Sequence, residues 1–125
     1  MEICIDFDGT CVTHSYPVVG KNIGAQAVLE KLIQNGHKLI LFTMRGGEPL
    51  LDAIDWFHKN QIPLYGVNKN PRQEEWTSSP KAYGQLYIDD AALACPIKRD
   101  PTLSKRPFVD WEEVEKWLIN NNIIN

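Results

Sequence analysis

The sequence predicts an α/β domain built on a mainly parallel sheet, and three observations predict it. Short apolar runs alternate with amphipathic stretches of helical period along the 125 residues. The apolar runs show little polar alternation, as expected of strands covered on both faces by helices. Polar residues stand just beyond the carboxyl ends of three of these runs, the edge where parallel sheets carry their chemistry. With 43% hydrophobic residues and neither repeat nor linker, residues 1–125 suit one domain with a modest core.

Each element has a local reason. Residues 2–7, with Ile3, Ile5 and Phe7, read as a buried first strand. An irregular loop or small hairpin over 11–20 follows, and Asn22 is placed to cap a helix with Ala25, Val28, Leu29 and Leu32 as its apolar stripe. Gly36 ends that helix, and 38–43 form the second strand. Gly46-Gly47 turns the chain, and Pro49 suits the first turn of a helix lined by Leu50, Ala53, Ile54 and Phe57. Residues 64–67 make a short third strand, 68–80 a surface loop, and 85–88 a fourth strand ending at Asp89-Asp90. In the last helix Asp110 and Glu113 have capping-box spacing, and Trp111, Val114 and Leu118 face inward.

Composition excludes several classes. Charged residues are 23% of the chain and the net charge is −3, so no global basic field favours nucleic acid. No apolar run approaches the roughly 20 residues that span a bilayer, which excludes a membrane partner of that kind. The chain enters a strand directly after Met1, leaving no place for a secretion signal. Cys4, Cys11 and Cys95 are an odd set without CxxC spacing, which argues against disulfides and structural zinc and for a cytoplasmic location.

The chemistry concentrates in Asp6-Phe7-Asp8-Gly9-Thr10. Two acids one residue apart can serve a single site if the chain bends as it leaves the sheet, and Gly9 suits that bend. Asp6 and Asp8, Thr43, and Asp89 with Asp90 are then delivered to one rim by three strands. Carboxylates so crowded repel one another unless a cation lies among them, and an all-oxygen set suits Mg2+ better than zinc. Such an ion invites a phosphate, whose transfer also wants a hydroxyl and a fixed positive charge. Thr43 and Lys81 can supply these.

The set DFDGT, Thr43 in LFTMR, Lys81 in SSPKAYG, and YIDD resembles, in order, the four motifs of the haloacid dehalogenase superfamily. The resemblance runs from about Glu2 to Cys95 and implies a three-layer, Rossmann-like fold. It implies a magnesium-dependent phosphatase in which Asp6 is the nucleophile, forming an aspartyl-phosphate, and Asp8 the general acid and base. Thr43 would bond the transferring group and Lys81 would steady it together with Asp6. Asp89 would ligate the metal, Asp90 would assist directly or through water, and Asp6 and the Asp8 backbone carbonyl would complete the set. Family ATPases place Thr where Asp8 stands.

The stretches between Thr10 and Thr43 and between Thr43 and Lys81 are each filled by a loop, a helix and a strand. Neither has room for the cap domain many members carry, so the chain resembles a capless member with an open crevice. The expected partner is a phosphorylated small molecule or a phosphate displayed on a macromolecule, and a second copy of the chain could shade the site. Lys69, Arg72 and Trp76 stand in the 68–80 loop beside Lys81 as rim candidates.

Other residues read as ordinary. Arg45 suits substrate contact or solvent equally, His14, His37 and His58 suit surface or packing, and Cys11 suits space filling. Trp56, Trp111 and Trp117 read as core or interface anchors, and Lys98, Arg99, Lys105 and Arg106 as a solvated stretch. A non-catalytic or phosphotransferase relative is the alternative function. A signalling receiver domain fits less well, because it needs an Asp after the third strand and the sequence has none between Asp55 and Asp89.

Overall fold

Every position from 1 to 125 is described by the computed structural model. The four apolar runs form strands β1 (Glu2–Ile5), β2 (Lys38–Leu41), β3 (Gly66–Val67) and β4 (Leu86–Ile88). All pair in parallel, in the order β3-β2-β1-β4. Ile3 lies beside Leu39 and Leu86, and Ile5 beside Leu41 and Ile88. Side chains alternate across a strand, so these residues share one face.

That face carries the main core. Helix α1 (Ala25–Gln34) buries Val28, Leu29 and Leu32 against it, and α2 (Gly47–Lys59) buries Ala53, Trp56 and Phe57. Helix α3 (Trp111–Asn120) adds Trp111, Val114 and Leu118. The Asp110 carboxylate caps α3 by accepting from the Glu113 N–H at 3.3 Å, while the Glu113 side chain turns to Lys116 instead of closing the box. Gly36, at φ 84°, ends α1 as the sequence requires.

The opposite face differs from expectation. Cys4 and Ile40 meet Ala82 there, flanked by Phe42 and Tyr65, and no α-helix joins them. The cover is the connection from β3 to β4, whose only helical turn is the short 3-10 segment Gln73–Glu75. Right-handed crossovers explain its side: β1 to β2 and β2 to β3 step one way, while β3 to β4 steps back past β1. Pro71 and Pro80 oppose a helix in this connection. The layer expected to be helical is therefore irregular chain.

Three further expectations are corrected. The first strand stops at Ile5, because the Phe7 carbonyl accepts from the Thr10 and Cys11 N–H groups at 3.1 and 2.8 Å and so curls the chain. Asn22 caps nothing; α1 begins after Gly24, and Asn22 Oδ1 instead accepts from Trp56 Nε1 at 2.9 Å. The stretch from Asp90 to α3, where the sequence announces no strand, contains a small antiparallel hairpin of β5 (Ile97–Lys98) and β6 (Phe108–Val109). Two-residue strands are too short to show a period. No helix is long and apolar enough to cross a membrane.

Candidate active site

The strand order places a topological switch at β1. From β1 the chain proceeds to β2 on one side and returns at β4 on the other. Ligands of parallel sheets bind in the crevice above such a switch, at the carboxyl ends of the strands. Asp6 stands there as the first residue beyond β1, its N–H donating to the Ile88 carbonyl at 3.0 Å and so extending the β1–β4 ladder. That bond sets Asp6 beside Asp89. Oxygens of Asp6, Asp89 and Asp90 all lie within 4.8 Å of one another, each on a partly buried side chain.

Thr10 organises the cluster from beneath. It is fully buried; its Oγ1 donates to Asp6 Oδ2 at 2.7 Å and accepts from the Asp90 N–H at 3.1 Å. Asp89 Oδ1 accepts from the Ala91 N–H at 2.8 Å. No Lys or Arg nitrogen lies within ion-pair distance of the three carboxylates. Burial first, and then the Asp89 charge, push the Asp6 carboxyl up from its ordinary 3.8 to about 8, against the opposing Thr10 bond. Crowded oxygen donors without a counter-charge fit a hard divalent cation.

Asp8 points elsewhere. Its carboxylate receives a two-pronged contact from Arg45, Nε to Oδ2 at 2.8 Å and Nη2 to Oδ1 at 2.7 Å. It is not among the clustered oxygens. Arg45, read from sequence as suiting substrate or solvent, is only 3% exposed. Its remaining N–H groups donate to the carbonyls of Pro17, Val18 and Pro49, at 3.0, 2.8 and 2.9 Å. The guanidinium lies 5.0 Å from the Phe7 ring centre and 5.3 Å from that of Tyr16. One side chain thus fastens the Asp8 turn, the 11–20 loop and the first turn of α2.

Thr43 stands at the carboxyl edge of the sheet, two residues beyond β2, whereas no contact joins Lys81 to the acids. The Thr43 N–H donates to Asn68 Oδ1 at 2.7 Å, and its Oγ1 accepts from the Arg45 N–H at 3.1 Å, leaving the hydroxyl hydrogen unused. A small cavity of about 190 Å³ lies against the acids, lined by Cys4, Asp6, Phe42, Tyr87, Ile88 and Asp89 among others. The exposed Lys81 holds its Nζ 5.5 Å from the ring centre of Tyr87, a residue of that lining, but does not line the cavity itself. Of the rim candidates, Lys69 is occupied by Glu74 at 2.6 Å, and Arg72 by Glu75.

Sequence reasoning missed four residues that build this site. Thr10 was present in the motif but carried no role of its own. Gln73 is buried; its Nε2 donates to the Ser79 and Lys81 carbonyls at 3.0 and 2.9 Å, and its Oε1 accepts from the Tyr83 N–H at 2.8 Å. That shapes the segment presenting Lys81. Arg45 and His14 are the others; His14 Nε2 lies 2.8 Å from Asp90 Oδ2. For Arg45 the signal was its place two residues after Thr43, whereas nothing in the spacing announces His14.

No protein-family model matches the chain, and no curated protein does. A solved structure does: a conserved protein coded by a locus from Bacteroides thetaiotaomicron, 33% identical, superposes with a TM-score of 0.78. The match covers 98% of this chain and 91% of that one, so the likeness extends through both the sheet and its rim. The chain belongs to the same family as that Bacteroides thetaiotaomicron protein.

Proposed function

We propose that the protein is a magnesium-dependent phosphatase of the haloacid dehalogenase type, capless, hydrolysing a phosphate monoester through an aspartyl-phosphate on Asp6. The observation that carries the reading is the meeting of Asp6, Asp89 and Asp90 at the switch point of a parallel sheet. Asp6, Asp89 and Asp90 would hold the metal, with the Asp8 backbone carbonyl as a further ligand. When bound, the ion would offset charge on the phosphate and on the carboxylates around it, and so favour the ionised Asp6 that attack needs.

An Asp6 oxygen attacks phosphorus, and the ester P–O bond breaks. Asp8 gives its proton to the departing alkoxide. Asp8 then takes a proton from water as that water attacks the same phosphorus; the bond to Asp6 breaks, and phosphate leaves with the Asp6 carboxylate restored. Asp8 accepts from Arg45 on both oxygens here and so is ionised; to serve as donor it has to turn from Arg45 toward the crevice and take up a proton from solvent before attack begins. Thr43 retains a hydroxyl hydrogen for the transferring group, and the exposed Lys81, over the Tyr87 ring, would have to reach in to supply the cation.

The position after the third strand supports an enzyme over a phospho-accepting receiver. It holds Asn68, whose amide oxygen already accepts from the Thr43 N–H. Incubation with para-nitrophenyl phosphate and Mg2+ is expected to release phosphate repeatedly, and Asp6→Asn to abolish release by several orders of magnitude. Equal rates in mutant and parent would rule out the covalent route.

A further inference from the structure

We propose that His14 is a positioning residue for Asp90, fixing that carboxylate toward Asp6 and so raising affinity for the divalent cation. The inference rests on the metal-dependent reading of the acidic cluster. A carboxylate oxygen only accepts, so His14 Nε2 carries the hydrogen in its 2.8 Å contact with Asp90 Oδ2. The two side chains are 15% and 16% exposed, leaving little room for water to compete.

With Oδ2 engaged by His14, the other Asp90 oxygen faces Thr10. Oδ1 lies 3.3 Å from Thr10 Oγ1, the same hydroxyl that donates to Asp6 Oδ2. The Asp90 N–H is anchored on Thr10 as well, so backbone and side chain are both pinned. Without His14 the Asp90 side chain regains rotation, and one oxygen of the donor set is no longer held in place.

Gly9 makes room for this arrangement. Its φ of 78° already favours glycine, but a Cβ there would also collide with the His14 ring and with Asp90 Oδ2. The turn just after the two motif aspartates thus leaves an opening that the His14–Asp90 pair fills. His14 reaches it from the 11–20 loop, a loop that Arg45 holds from its other end through Pro17 and Val18.

Groups that orient a metal ligand typically alter affinity by about 10- to 100-fold when removed. Calorimetric titration with Mg2+ is therefore expected to show Kd raised by about that factor in His14→Ala. His14→Gln, whose amide nitrogen can donate from nearly the same place, is expected to restore most of the loss. Parent-like Mg2+ affinity in His14→Ala overturns the proposal. So do equal affinity losses in the Ala and Gln variants accompanied by equal losses of metal-free stability, which would make the histidine a loop tether only. A parent protein that binds no Mg2+ overturns this inference together with the acidic-cluster reading, whereas tight parent binding with an unaffected His14→Ala overturns this one alone.

Discussion

Asp8 and Arg45 form an ion pair with both side chains mostly buried. Arg45 is almost wholly buried, and its five N–H donors all find acceptors: two on Asp8 and three on backbone carbonyls. Removing one partner of a buried pair strands the other, which typically costs about 3–5 kcal/mol. Arg45→Met is expected to lose stability of that order in urea unfolding. Arg45→Lys recovers only part, because an ammonium cannot span the fork of contacts. Combining Arg45→Met with Asp8→Asn should cost less than the sum of the two single changes. Additive losses would show that the pair is not coupled. Neither partner could have been assigned to the other from sequence, since 37 positions separate them. The motif made Asp8 legible as a functional acid, but not which cation faces it.

At the scale of elements, the sheet and its helices were legible and the irregular layer was not. Ile3, Ile5, Leu39 and Leu41 announce strands, and Val28, Leu29 and Leu32 announce a helix, through spacing alone. The 68–85 connection has no such period, and its order comes from buried polar anchors. Asn70 Nδ2 donates to the Tyr83 carbonyl at 3.2 Å, and Gln73 makes its own bonds to Ser79, Lys81 and Tyr83. Gln73→Ala leaves those backbone groups without their buried partner, at a cost of about 1–3 kcal/mol. Native-state hydrogen exchange is expected to show the Tyr83 amide opening faster, and turnover should fall because Lys81 loses its frame. An unchanged Tyr83 exchange rate would remove Gln73 from that role. The β5–β6 hairpin escaped for a related reason: its buried Phe108 and Val109 are only two residues between Pro107 and Asp110.

For the molecule as a whole, the acidic rim ties stability to pH and to metal. Asp6 holds its proton more tightly in the folded protein than in the unfolded chain, about 8 against an ordinary 3.8. Below the lower value both states are protonated, and the contribution of this group is intact. Between about 3.8 and about 8 the unfolded chain gives up the proton while the folded one retains it, so stability declines as pH rises. Thermal unfolding of the metal-free protein is expected to show Tm falling through this window and levelling above it. Mg2+ should add more to Tm near the upper end, where Asp6 need not be stripped of a proton to bind. Asp6→Asn should flatten both trends. A Tm indifferent to pH in the parent would contradict the burial of Asp6 among unneutralised acids.

Periodicity and motif by themselves determined the parallel α/β sheet, the faces of its helices and the strand ends on which Asp6, Thr43 and Asp89 stand. Those properties follow from local repeat and from chain order, which a linear string contains in full. Tertiary structure alone decided that the second sheet face is closed by irregular chain, that Asp8 turns to Arg45, and that His14 meets Asp90 across the opening left by Gly9. Each of these depends on groups distant in the chain occupying a common volume, where direction and room for each side chain are set by packing and not by sequence separation.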